Sequence, residues 1–328
     1  MKDNSPSFPR SAWEHTSRTL RVLNQRNDYL LTIQFGITTL ALFLFYLPTL
    51  AQTPAEKQVT IRFLQDLQTP SGGFLAGPEN PKIKRPTVPS LRATNAALRA
   101  LKYFGGEPSD LKGAGRFVES CFDKSTGGFA DRPGAQPDAP TTAVGIMAVV
   151  ESKLATQPYA DAVGKYLGEH AKTFEEIRLA AAGFEAIGKL PPQADNWLKQ
   201  IAEMENPDGS FGQARGAARD TGSAVAAILR LDGKLKSPER AIAVIKEGHR
   251  PDGAFGKGDV ETSDLESSYR IIRSLHMLKE KPAYPNRVRA FIARCRNPDG
   301  GYGVVPGQPS SAGGTYFAAI ILHWLDEK

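Results

Sequence analysis

Apolar residues recur along most of this chain at helical spacing, in two alternating styles. Phe63, Leu64 and Leu67 form a one-sided stripe with charged residues between its members, as do Phe117, Val118 and Cys121. Trp197, Ile201 and Met204 repeat it, and so do Val288, Phe291, Ile292 and Cys295. Spacing of i, i+3, i+4, i+7 predicts helices with one wet face. The second style, at 143–150, 224–229 and 317–322, is apolar all round. Such a helix in a soluble domain is covered on every side. Wet outer helices alternating with buried inner ones are therefore expected.

Between the two helices of a unit stands a repeated turn. Asn297-Pro298-Asp299-Gly300-Gly301-Tyr302-Gly303 is nearly repeated by residues 206–212, and 251–256 is a third copy. Gly72-Gly73-Phe74 and Gly127-Gly128-Phe129 are shorter versions. Pro and Asp open a turn, Gly supplies the positive φ, and the aromatic plugs a core. Self-similarity on this scale marks a repeat architecture. Nine residues after the aromatic stands Asp138, Asp220, Asp264 or Ser311, and Pro81, Pro86 and Pro89 delay the first equivalent to Ser90. A short oxygen-bearing side chain before an apolar run is helix N-cap chemistry. Small residues follow four places later: Thr94, Thr142, Ala224, Ser268 and Thr315.

The gap from Phe129 to Phe211 is wide enough to hide a unit that lost its turn, with an outer helix over 159–169 and an inner one over 174–184. That makes six helix pairs. An open array needs polar capping repeats, yet the last helix stays apolar to Trp324 and Leu325. The expected fold is all-α: an α/α toroid of six pairs, with inner helices starting near Ser90, Asp138, Glu175, Asp220, Asp264 and Ser311.

Composition adds a core-forming 41% of hydrophobic residues and a net charge of +6 without any basic run, so no nucleic-acid partner is expected. Residues 1–28 form a basic polar region, and 29–51 is one long apolar segment broken by Pro48, with a small-x-small site behind it. It reads as an export signal or an uncleaved anchor, placing residues 55–328 outside the cytoplasm. Cys121 and Cys295 each end a helix before a Gly-rich turn and read as buried thiols.

These features resemble the repeat shared by protein prenyltransferase β subunits and squalene/oxidosqualene cyclases. Gly127-Gly128-Phe129-Ala130-Asp131-Arg132-Pro133-Gly134 followed by Asp138 is most similar to the geranylgeranyltransferase type. The resemblance spans roughly 55–326. It implies a zinc site of Asp, Cys and His, whose positions here hold Asp264, Glu266 and Gly314. It implies a diphosphate-binding Arg and Lys, whose positions hold Gly258 and Glu261, with Lys257 one place off. The cyclases' D-x-D-D motif is absent. Tightly held zinc is therefore not expected, nor is an α-subunit partner.

The expected function is a toroid with an apolar central pocket for an isoprenoid-like or acyl ligand. It acts as a prenyl transferase with degenerate zinc and diphosphate sites, or as a non-catalytic module for a lipid, peptide or protein. Asp264 and Glu266 are the candidate catalytic carboxylates. Asp138, Arg219, Asp220, Lys257, Tyr269 and Arg270 are the candidate substrate contacts. Capping alone accounts equally for Asp138, Asp220 and Asp264, and helix-dipole complementation accounts for Glu266. Arg273 is read as lining the pore or bridging to a carboxylate, and His276 as a buried core histidine.

Overall fold

The computed structural model describes residues 52–78, 88–212, 217–258 and 260–327. The segment 29–51, the basic region before it and the insertion holding Pro81 and Pro86 lie outside them. Six helix pairs follow in order, outer helix first. They are α1 (Pro54–Asp66) with α2 (Leu91–Phe104), α3 (Leu111–Ser120) with α4 (Ala139–Glu151), and α5 (Gln157–His170) with α6 (Phe174–Ala186). Then come α7 (Ala194–Ala202) with α8 (Ala218–Arg230), α9 (Pro238–Glu247) with α10 (Leu265–Met277), and α11 (Pro285–Cys295) with α12 (Ala312–Asp326). Among the described residues the named strands are β1 (Phe122–Asp123) and β2 (Gly128–Phe129), paired antiparallel with Phe122 opposite Phe129.

Each inner helix packs on the next, and α12 packs on α2, so the ring closes. The seam between the last and first units is hydrogen-bonded. Thr60 Oγ1 donates to Gly300 O at 2.7 Å, and Ala312 N donates to Ala76 O at 2.9 Å. Arg296 reaches back to the Glu56 carbonyl at 3.3 Å. No polar end cap is needed, because the last apolar helix is covered by the first.

The inner helices start where short side chains cap them. Ser90, Asp138, Asp264 and Ser311 accept the third helical N–H, from Ala93, Thr141, Ser267 and Gly314 respectively. Each cap contributes about 1 kcal/mol. The unit without a Gly turn starts at Thr173, which forms a capping box with Glu176. A second bond sets the register of the other five. The turn aromatic's N–H donates to a hydroxyl on the inner helix: Phe74 to Thr94 at 3.0 Å, Phe129 to Thr142 at 2.9 Å, Phe255 to Ser268 at 3.2 Å, Tyr302 to Thr315 at 3.0 Å.

That bond corrects the fourth unit. Spacing had placed Asp220 at the cap and Ala224 at the small position. The hydroxyl that meets Phe211 N, at 3.0 Å, belongs to Thr221, and the cap position falls on Ala217, which has no oxygen to offer. Asp220 sits in the first turn instead. The loop after Phe211 is shorter here, and Ala224 has no hydroxyl to fix the register.

The turn aspartates are structural. Asp299 Oδ1 accepts Gly301 N at 3.0 Å and Ser310 Oγ at 2.7 Å, and Asp252 accepts Ser263 N at 2.7 Å. Phe74, Phe129, Phe211, Phe255 and Tyr302 are buried plugs. Cys121 and Cys295 are free and buried, and burial pushes both thiols up to about 12, which keeps them inert at neutral pH.

Candidate functional site: a guanidinium-lined central cavity

All six inner helices contribute to a central cavity of about 510 Å³. Its lining falls into tiers counted from the helix starts. Two residues past the cap positions are Arg92, Pro140, Glu175, Glu266 and Gly313. The next turn brings Asn95, Val144, Arg178, Tyr269, Arg270 and Tyr316. The far tier holds Arg99, Met147, Ala182 and Arg273, with Arg230 from the last turn of α8.

The first tier carries a ladder of ion pairs. Arg270 donates through Nη1 to Glu175 Oε1 at 2.7 Å and through Nη2 to Glu266 Oε1 at 2.6 Å. Arg178 Nη2 adds a bond to Glu175 Oε2 at 2.8 Å. Arg219 lies 3.3 Å from both Glu266 and Asp220. Burial pushes the Glu175 carboxyl up, but Arg178 and Arg270 outweigh it and hold it at about 2. Burial likewise raises Glu266, and Arg270, Arg219 and Arg178 bring it below the usual carboxylate range. Both are ionised at neutral pH, Glu175 bonded through both oxygens and Glu266 through Oε1, so neither is a proton donor.

The far tier is aromatic and cationic. Arg230 Nε donates to Glu185 Oε2 at 2.8 Å, and Arg273 Nη2 is 3.5 Å from the same oxygen. Arg273 Nη1 donates to Tyr269 OH at 2.6 Å, which lies 3.2 Å from Tyr316 OH. Burial raises the Tyr316 phenol well above its ordinary value, so it keeps its proton. The Arg99 guanidinium lies 4.8 Å from the centre of the Tyr316 ring. Pro140, Val144, Met147, Leu179 and Ala182 form an apolar patch on α4 and α6.

The expected apolar pocket is found in part: apolar side chains share its wall with charged ones. Most apolar residues of an inner helix pack on its outer partner and its two neighbours. Only one stripe sees the cavity, and in α2, α6 and α10 half or more of its residues are charged. Of the candidates, Glu266, Tyr269 and Arg270 line the cavity, and Arg219 and Asp220 join through the ladder. Asp138 caps α4 and stands 3.6 Å from Arg92. Asp264 does not line the cavity: its two oxygens take the N–H and hydroxyl of Ser267, both at 2.7 Å. Lys257 is exposed on a loop away from the lining. His276 is half-buried rather than a core residue, stacked on Trp324 and 3.4 Å from Glu327. Arg92, Arg99, Glu175, Arg178, Arg230 and Tyr316 were missed. Counting two, five and nine residues from Ser90 and Ser311 would have found Arg92, Arg99 and Tyr316, whereas Glu175 and Arg178 fall into place only from the observed cap, Thr173.

The residues present do not fit the family's zinc. Asp264 is committed to its cap, and Glu266 is held by arginines. A side chain at Gly314 would collide with the Tyr302 carbonyl. Among the described residues no three metal-ligating side chains gather.

No curated protein matches the chain. Among solved structures it is similar to Candida albicans protein geranylgeranyltransferase-I complexed with GGPP. The TM-score is 0.59 at 13% identity, covering 71% of this chain and 83% of that one. It is similar to a type II terpene cyclase from Scytonema in complex with geranylgeranyl dihydroxybenzoate, with TM-score 0.59, 12% identity and coverage of 85% and 98%. It is also similar to a glycosidase variant, with TM-score 0.53, 13% identity and coverage of 84% and 98%. At these identities the likeness is one of fold. The family described as the prenyltransferase alpha-alpha toroid domain matches residues 13–113, 107–157 and 179–328. With six helix pairs closed around one cavity, this chain belongs to the prenyltransferase α/α toroid family.

Proposed function

We propose that the ring binds an amphiphile with an isoprenoid-like or acyl chain in its central cavity. The observation that carries this reading is a cavity whose wall is divided between the apolar patch of α4 and α6 and a set of guanidinium groups. The ligands of two structural neighbours, GGPP and geranylgeranyl dihydroxybenzoate, belong to the same class. Acid catalysis by Glu175 or Glu266 is disfavoured, because arginines hold both carboxyls ionised. Any prenyl-type transfer would draw on the arginines, which stabilise a departing anion. The test is titration of the protein with farnesol, followed by calorimetry. One molecule is expected to bind per chain. Ala182→Trp, which fills the cavity, is expected to weaken binding at least roughly tenfold with unchanged circular dichroism. Farnesol binding that is indifferent to Ala182→Trp overturns the reading.

The apolar segment 29–51 supports a location outside the cytoplasm or at its membrane. N-terminal sequencing of material from the native host is expected to give Gln52 first, or an intact chain in the membrane fraction. A soluble cytosolic chain with Met1 intact would contradict this.

A further inference from the structure

The two ends of the cavity differ in charge balance. At the first tier, Arg178, Arg219 and Arg270 meet Glu175, Glu266 and Asp220, and the ladder is neutral. At the far tier, Arg99, Arg230 and Arg273 meet only Glu151 and Glu185, and Glu151 is shared with Lys102 at 3.2 Å. The three arginines outnumber the two carboxylates, and Lys102 on Glu151 widens the difference.

Unpaired donors lie at the same end. Among the described residues, Arg230 Nη2, Arg273 Nε and Arg99 Nε, each shut off from solvent, have no hydrogen-bond partner, although Arg99 Nε stands 3.5 Å from Glu151. The Arg230 side chain is 2% exposed and lines the cavity. A buried donor without a partner is costly, more so when charged. The protonated Tyr316 hydroxyl lies on the same wall.

We infer that the far end of the cavity is a subsite for an acid head of the carboxylate class, held by Arg230, Arg273 and Arg99. This rests on the reading that the cavity takes an amphiphile, and it fixes the amphiphile's polarity. The acid head lies at the far tier, and the apolar chain runs back along Val144, Met147 and Leu179. A carboxylate offsets part of that excess and accepts a forked pair of guanidinium N–H bonds. The positions are unrelated to Gly258 and Glu261, where the family resemblance would put a diphosphate.

The test compares three probes that share one chain: farnesol, farnesoate and farnesyl diphosphate, each titrated by calorimetry at neutral pH. Farnesoate is expected to bind at least tenfold tighter than farnesol and tighter than farnesyl diphosphate. Arg230→Gln and Arg273→Gln are expected to erase the preference for farnesoate and leave farnesol binding within about twofold. The wild-type comparison stands even where a variant fails to fold. Equal binding of farnesoate and farnesol overturns the subsite while leaving the amphiphile reading intact. The far arginines would then merely complement the helix ends. A preference for farnesyl diphosphate overturns the carboxylate assignment. Failure of all three probes removes the amphiphile reading itself, and the subsite with it.

Discussion

Gly300→Ala is expected to open the ring at its seam and cost about 3 kcal/mol of stability, from a positive-φ penalty plus overpacking. Gly300 has φ +88°, in the left-handed region that penalises a Cβ. An added Cβ would stand 2.6 Å from Val59 Cγ1 and 2.9 Å from the Val59 carbonyl carbon. Those atoms belong to α1, so the collision lies between the last unit and the first. The bond from Thr60 to the Gly300 carbonyl ties the same two units together. Gly307 provides the control. Its φ is +81°, yet nothing lies within 4 Å of a Cβ there. Gly307→Ala should therefore cost only the backbone term, about 1 kcal/mol. Urea unfolding of the two variants measures the difference. Equal losses would mean that the seam is not tightly packed.

Arg270→Met is expected to cost about 2 kcal/mol at pH 7, less than a fully buried pair because its two carboxylate partners are half-exposed. Arg270 is 11% exposed and is the only group bonded to both Glu175 and Glu266 among the described residues. Without it, two carboxylates face each other with one arginine apiece. The pH dependence should change with it. The Glu175 carboxyl is depressed in the folded chain. Its contribution is therefore present above the unfolded value of about 4.5 and lost as pH falls through about 2. In the variant the folded value climbs back toward the unfolded one, and the window of acid sensitivity narrows. Thermal unfolding between pH 2 and 7 reads both effects. A penalty as large at pH 2 as at pH 7 would show that lost packing, rather than lost charge pairing, is responsible.

The ring was legible in the sequence because its determinants are local. Gly, Pro and Asp dictate their turn, a Ser or Asp before an apolar run caps its helix, and one-sided stripes declare the outer layer. Even the unit without a turn was found, since the stripe over 159–169 and the apolar run over 174–184 do not depend on one. The fourth unit shows the limit. Spacing put the cap at Asp220 and the register position at Ala224. The bond from Phe211 N to the Thr221 hydroxyl instead sets the cap at Ala217, and a bond across a loop has no signature in spacing.

The cavity was less legible. Asp264 and Glu266 were named because they stand at the family's zinc-ligand positions, but Asp264 itself turned out to be satisfied by Ser267. Arg99, Arg178 and Arg230 look in sequence like ordinary polar positions on helices. Charge on a helix reads as a wet outer face unless the helix is known to border a cavity. The sequence alone determined the repeat, four of the six inner-helix caps and the aromatic plugs, since each follows from a few neighbouring residues and their backbone hydrogen bonds. Only the tertiary structure decided that the seam closes and that the inward stripes of α2, α6 and α10 meet. Convergence on the axis depends on the rotation of every inner helix against its neighbours, and that rotation is set by packing across the whole ring.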